Sequence, residues 1–199
     1  MADSQLRNSE SLAWEAFLGG DHQAFERLFK SYYNALFQYA RRYHHQEDLA
    51  HECVQQLFCQ LWQSRGRLSL VENVKAYLFK ALRTYLQREA VYQKRLLTLD
   101  CYRPITFSRE DFITQDETDT YRKKAIADTL NLLPQRQREV IYLKYYENLS
   151  YPEIADVLHI NYQSVVNLVF RAIQRLRQEE QLHKISVLAV HCMAVLLFL

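Results

Sequence analysis

An all-α chain of two small helical domains is predicted on three observations. The 199 residues include only three glycines and three prolines, too few breakers for the turns a sheet requires. Apolar residues recur at helical spacing through most of the chain, and no alternating apolar–polar run is long enough for a sheet. A polar, acidic stretch then cuts the helical pattern in two. The length suits one large or two small domains, and the cut favours two.

The first domain, 11–95, opens after Gly19-Gly20 with Asp21 as a helix cap. Ala24, Phe25, Leu28, Phe29, Tyr32, Leu36, Tyr39 and Ala40 follow in one wide apolar face. A second helix carries Leu49, Ala50, Cys53, Val54, Leu57, Phe58, Leu61 and Trp62, and SRGRLS at 64–69 stops it. A third starts near Asn73 and carries Val74, Tyr77, Leu78, Ala81, Leu82, Tyr85 and Leu86. Three such helices can share a core.

Charge is uneven along this path. Lys75, Lys80, Arg83, Arg88, Lys94 and Arg95 face only Glu89 between 75 and 95. Beyond it, Asp100, Glu110, Asp111, Asp116, Glu117 and Asp119 outnumber Arg103 and Arg109. Residues 96–118 therefore read as an acidic linker, of a length that is usually functional or disordered.

The second domain, 119–182, has one helix around 120–132 and another from Pro134 to about Glu147. Two helix starts then fall eleven residues apart. Ser150 and Glu153 form a capping box with Pro152 in the first turn. That short helix buries Ile154, Val157 and Leu158, and Asn161 can cap the next after the turn at 159–161. The following helix buries Val165, Val169, Ala172 and Leu176 and turns Val166, Asn167, Phe170, Arg171, Gln174 and Arg175 outward. A short helix, a tight turn and a helix with a basic, polar outer face form a helix-turn-helix pattern, whose second helix fits a DNA major groove. No acidic residue occurs from His159 to Ala172.

Other functions are disfavoured. Cys53, Cys59, Cys101 and Cys192 make no CxxC pair, so no metal site is expected and the thiols read as reduced. No phosphate-binding loop, nucleophile or acid–base constellation stands out, so no catalytic residue, cofactor or small-molecule substrate is expected. The start lacks a secretion signal. Ile185 to Leu199 falls short of the ~20 apolar residues a membrane span needs; this tail, 183–199, suits packing or a partner.

These segments together resemble bacterial RNA polymerase sigma factors, specifically the extracytoplasmic-function (ECF) class of the sigma-70 family. LPQRQREVIYLKYYENLSYPEIADVLHINYQSV resembles sigma region 4. DHQAFERLFKSYYNALFQYARRY, DLAHECVQQLFCQLW and VENVKAYLFKALRTYL resemble the successive parts of region 2. The resemblance implies a cytoplasmic transcription initiation factor that binds core RNA polymerase and promoter DNA. It also implies an anti-sigma factor, in this class frequently membrane-bound. Carried over by position, Glu52, Gln55, Gln56, Phe58 and Leu61 lie on the helix implied to meet the polymerase. Asn73, Lys75, Lys80, Arg83, Thr84 and Arg88 are implied at the −10 element. Gln163, Ser164, Val166, Asn167, Phe170, Arg171 and Arg175 are implied at the −35 element.

The basic third helix suits its role independently, because cations bind phosphates and aromatics stack on unpaired bases; Tyr77, Phe79, Tyr85 and Tyr92 are the candidates, with Tyr77 and Tyr85 on the apolar stripe. The chain departs from the family at Val166 and Leu168, where many members carry Arg or Lys, at His159 in place of a turn glycine, and at Thr84, where Asn is common. A polymerase-independent helix-turn-helix regulator is the alternative reading.

Overall fold

The structure, a computed structural model, describes residues 2–43, 46–97, 105–107 and 120–183. The tail from 184 onward, Cys101, Cys192, the side chain of Tyr92 and most of the acidic linker lie outside the described residues. Among those described, every regular element is helical. In order they are α1 (Ala2–Leu18), α2 (His22–Arg41), α3 (Glu47–Ser64), a 3-10 turn (Arg65–Arg67), α4 (Val74–Leu97), α5 (Thr120–Asn131), α6 (Gln135–Ile141), a π turn (Tyr142–Tyr146), α7 (Tyr151–Leu158) and α8 (Tyr162–His183). The described residues form two compact units, one within residues 1–104 together with 149–161 and the other within 105–148 together with 162–183.

In the first unit the expected helices form for the expected reasons. Asp21 caps α2, its Oδ1 accepting from the N–H groups of Gln23 (2.7 Å) and Ala24 (3.2 Å). Most periodic residues of α2 and α3 point inward, and Leu36, Tyr39, Val54, Leu78, Phe79 and Leu82 are at most 1 % exposed, but Leu49, in the first turn of α3, is exposed at 41 % and lies outside the core. An aromatic seam ties the helices, with Phe29 against Phe58 (4.9 Å) and Tyr39 against Phe79 (5.2 Å). Phe79, offered by the sequence as a stacking surface, is thus a core residue: it follows Leu78 inward and cannot meet a base.

Helix α1 is an addition to what periodicity suggested. Its Trp14 and Phe17 are 1 % exposed, and the Trp14 indole N–H donates to the carbonyl of Ser69 (3.1 Å). The helix stops at Gly20, whose φ of 92° suits only glycine and lets the Asp21 N–H reach the Ala16 carbonyl. Segment 149–161 groups with this unit, and α7 packs against α4.

In the second unit α6 and α8 pack together, burying Val140, Ile141, Val165, Val169, Ala172 and Leu176. The helix expected from Pro134 to Glu147 begins as α6 and widens into the π turn after Ile141. Three charged residues are buried there: Arg138, Glu139 and Glu147. The Tyr142 hydroxyl donates to Glu147 Oε1 (2.7 Å), and burial lowers the Arg138 pKa. Residues 105–107, inside the expected linker, are docked on this unit. Ile105 and Phe107 are buried, and the Phe107 ring lies 5.6 Å from that of Tyr146.

Candidate nucleic-acid interface

Helix α7 is built as its sequence indicates. The Ser150 Oγ accepts from the Glu153 N–H, and Glu153 Oε2 accepts from the Ser150 N–H (2.7 Å), completing the capping box. Ile154, Val157 and Leu158 are buried. The helix ends at His159 in the left-handed conformation, φ 54° and ψ 45°. The Ile160 N–H then reaches the Ala155 carbonyl (3.1 Å), closing the end in place of the usual glycine. Two residues later α8 begins.

The buried stripe of α8 is Val165, Val169, Ala172 and Leu176. Gln163, Asn167, Phe170, Arg171 and Arg175 are exposed, while Ser164 and Val166 are half-buried at the flanks. Phe170 is 62 % exposed, a large apolar side chain that the core does not use. Gln163 Nε2 donates to Asn167 Oδ1 across one turn (3.3 Å). This pairing went unremarked in the sequence, although the four-residue spacing of two amides was its signal.

On α4 the basic residues serve different ends. Asn73 caps the helix, its Oδ1 accepting from the Ala76 N–H (2.9 Å), while its Nδ2 donates to Glu153 Oε1 (2.5 Å). The Lys75 ammonium lies 5.9 Å from the Phe79 ring centre. Lys80, Thr84 and Arg88, four residues apart, line one wall of a groove of about 530 Å³ with Tyr77 and Tyr85. Gln60 and Ser64 of α3 stand on the other wall. Arg83 is half-buried and does not line the groove. The Thr84 hydroxyl donates back to the Lys80 carbonyl (2.9 Å), so its hydrogen is committed within the helix. Tyr77 is half-buried with its ring 5.1 Å from Trp14.

Helix α3 divides the residues assigned to a polymerase contact. Glu52, Gln55 and Gln56 are exposed. Phe58 and Leu61 are 3 % and 5 % exposed and turn into the core, where period and packing place them. They hold the helix and do not offer a contact.

Comparison with known proteins bears on both units. The sigma-70 region 2 profile matches residues 28–95, and the sigma-70 region 4 profile matches residues 123–176. The chain belongs to the sigma-70 family, in its ECF class. It is 24% identical over 152 residues to the RNA polymerase sigma factor SigV of Bacillus subtilis, covering 74% of this chain and 83% of that one. It is 26% identical over 182 residues to the ECF RNA polymerase sigma-E factor of Haemophilus influenzae, covering 81% and 90%. A Bartonella quintana sigma factor RpoE, solved with the anti-sigma factor NepR, aligns with TM-score 0.61 at 22% identity, covering 80% of this chain and 98% of that one. CnrH, solved with the cytosolic domain of CnrY, aligns equally well, covering 87% and 98%. These two likenesses speak for the fold.

The sigma factor therefore acts in transcription initiation. Its region 2 match takes in most of α2, all of α3 and most of α4, and its region 4 match takes in most of α5, all of α6 and α7, and α8 from its start to Leu176. Among the described residues no helix is long and apolar enough to cross a membrane, and no cluster of His, Cys, Asp or Glu could hold a metal ion.

Proposed function

We propose that this sigma factor directs core RNA polymerase to promoters through three separate surfaces, without catalytic chemistry of its own. The exposed face of α3, with Glu52, Gln55 and Gln56, meets the polymerase. Helix α4 engages the −10 element, where Lys80 and Arg88 bind phosphates, with Lys75 and Arg83 adding positive charge, and the groove beside Tyr85 accepts an unpaired base. Asn73 and Thr84 position that helix end and that wall. Helix α8 lies in the major groove at the −35 element, with Gln163, Asn167, Phe170, Arg171 and Arg175 outward and Ser164 and Val166 at the edges. Binding separated bases opens the duplex, so no nucleotide hydrolysis is called for. The protein works in the cytoplasm, and an anti-sigma factor of the kind bound to its solved relatives holds it in reserve.

One observation carries this reading. The core of α8 is complete without its outer face, and that face is amide-rich, cationic and acid-free between His159 and Ala172. A helix serving only packing would gain nothing from an exposed phenylalanine between an asparagine and an arginine.

The test is a pull-down with bacterial core polymerase, followed by binding to partly melted promoter DNA with and without that core. DNA binding that depends on the core supports the reading. Tight binding to duplex DNA by the protein alone, with no affinity for the core, makes it a self-sufficient helix-turn-helix regulator and removes the α3 assignment.

A further inference from the structure

We propose that the outer face of α8 reads an adenine–thymine segment of the −35 element, with the bridged pair Gln163–Asn167 on one adenine and Val166 and Phe170 against neighbouring thymine methyl groups. This rests on the reading of α8 as the −35 helix and adds which bases it selects.

The amide bridge decides the first half. Gln163 Nε2 donates to Asn167 Oδ1, which leaves the Gln163 Oε1 acceptor and the Asn167 Nδ2 donor as the complementary pair that these two exposed side chains can offer a base. The major-groove edge of adenine offers an N6–H donor beside an N7 acceptor, which matches that pair group for group. Guanine offers two acceptors, O6 and N7, and would set O6 against the Gln163 oxygen. Cytosine presents only the N4 donor there, leaving Asn167 Nδ2 without a partner.

Phe170 decides the second half. It stands three residues from Asn167 and four from Val166, so it abuts both on the helix surface. At 62 % exposure it has no apolar neighbour that covers it. The one apolar group on a major-groove base edge is the C5 methyl of thymine. Val166 and Phe170 are separated by about 6 Å along the helix, at 1.5 Å per residue, which covers neighbouring base pairs. Arg171, four residues beyond Asn167, continues the row toward the phosphates.

The experiment uses holoenzyme reconstituted from core polymerase and the full chain, selecting from duplexes randomised across the upstream window. The wild-type protein is expected to enrich adenine at one position, with thymine beside it. Asn167→Ala and Gln163→Ala should each weaken preference at that same adenine by about 5-fold or more, the low end of what a good bidentate contact supplies. Replacing the selected thymine by uracil removes only the methyl group and should lower wild-type affinity about 4-fold, the value of one buried methylene-sized group. Phe170→Ala should lose that penalty at the thymine Phe170 covers and keep it at the thymine beside Val166. An enriched sequence that is GC-rich, or an affinity unmoved by uracil, overturns the proposal and leaves the −35 reading standing. Core binding with no upstream enrichment overturns both. The uracil arm changes only the DNA, so a poorly folded variant cannot obscure the outcome.

Discussion

The side chain of Asn131 grips the backbone of Phe107 from both sides. Its Oδ1 accepts from the Phe107 N–H and its Nδ2 donates to the Phe107 carbonyl, both at 2.9 Å. One amide thus serves both backbone groups of Phe107, beside buried Ile105. Asn131→Ala should cost roughly 1–3 kcal/mol, the penalty for leaving such groups unpaired. It should also speed chymotrypsin cleavage after Phe107. A denaturation curve followed by circular dichroism, with mass mapping of the cleavage, checks both; an unchanged digest would mean that Ile105 and Phe107 hold the segment alone.

At His159 a side chain occupies left-handed backbone that glycine would adopt freely. His159→Gly should raise stability by about 1 kcal/mol, the order of the left-handed penalty. A lower urea midpoint would instead show that the imidazole holds the turn.

The two described thiols differ sharply. Cys59 is exposed, whereas burial, with smaller pushes from Glu89 and Glu52, raises the Cys53 thiol from 9.0 to about 12. A raised pKa keeps the neutral thiol, so its contribution to stability is intact below pH 9 and is lost as pH climbs from 9 toward 12. At pH 8 iodoacetamide should label Cys59 first, with Cys53 slower than an unperturbed thiol by about 10³, because the thiolate is the nucleophile. Peptide mapping over time reads this directly, and equal labelling of the two would show that α3 opens locally.

The α3 and α4 surfaces should separate in function. Gln55→Ala with Gln56→Ala should weaken core polymerase binding by about tenfold, near 1.4 kcal/mol, while the melting curve stays put because both side chains are exposed. Lys80→Glu with Arg83→Glu should depress promoter opening and spare core binding. Permanganate footprinting beside a core-binding titration distinguishes them; loss of both activities in either pair would mean the surfaces are not independent.

Much of this was legible because local rules and packing agree. Asp21, the Ser150–Glu153 box and the Val165–Val169–Ala172–Leu176 stripe each state in a few residues what the fold then does. The left-handed turn at His159 was legible only through the resemblance, which sets a glycine at that position. What stayed hidden depends on partners distant in sequence. Helix α1 is polar at its start, and only Trp14 and Phe17, three apart before Gly19-Gly20, hint that it docks. Ile105 and Phe107 alternate within a polar run, but nothing nearby announces Asn131, twenty-four residues on from Phe107. The π turn has no local signature in YLKYY. Phe58 and Leu61 show the opposite problem: a resemblance marks a helix as an interface, whereas its period decides which residues face out.

Both tryptophans of the chain, Trp14 and Trp62, belong to the first unit. Trp14 is buried beside Phe17 and Tyr77, and Trp62 lies between His22 at 4.3 Å and the Arg65 guanidinium at 4.2 Å. Indole emission is therefore a private signal of that unit, and the α8 unit is silent in it. A melt followed at tryptophan wavelengths and one followed by helical ellipticity will coincide only if the two units unfold as one. Any gap between the two curves measures, without labels, how far one half of this sigma factor can come apart while the other stays folded.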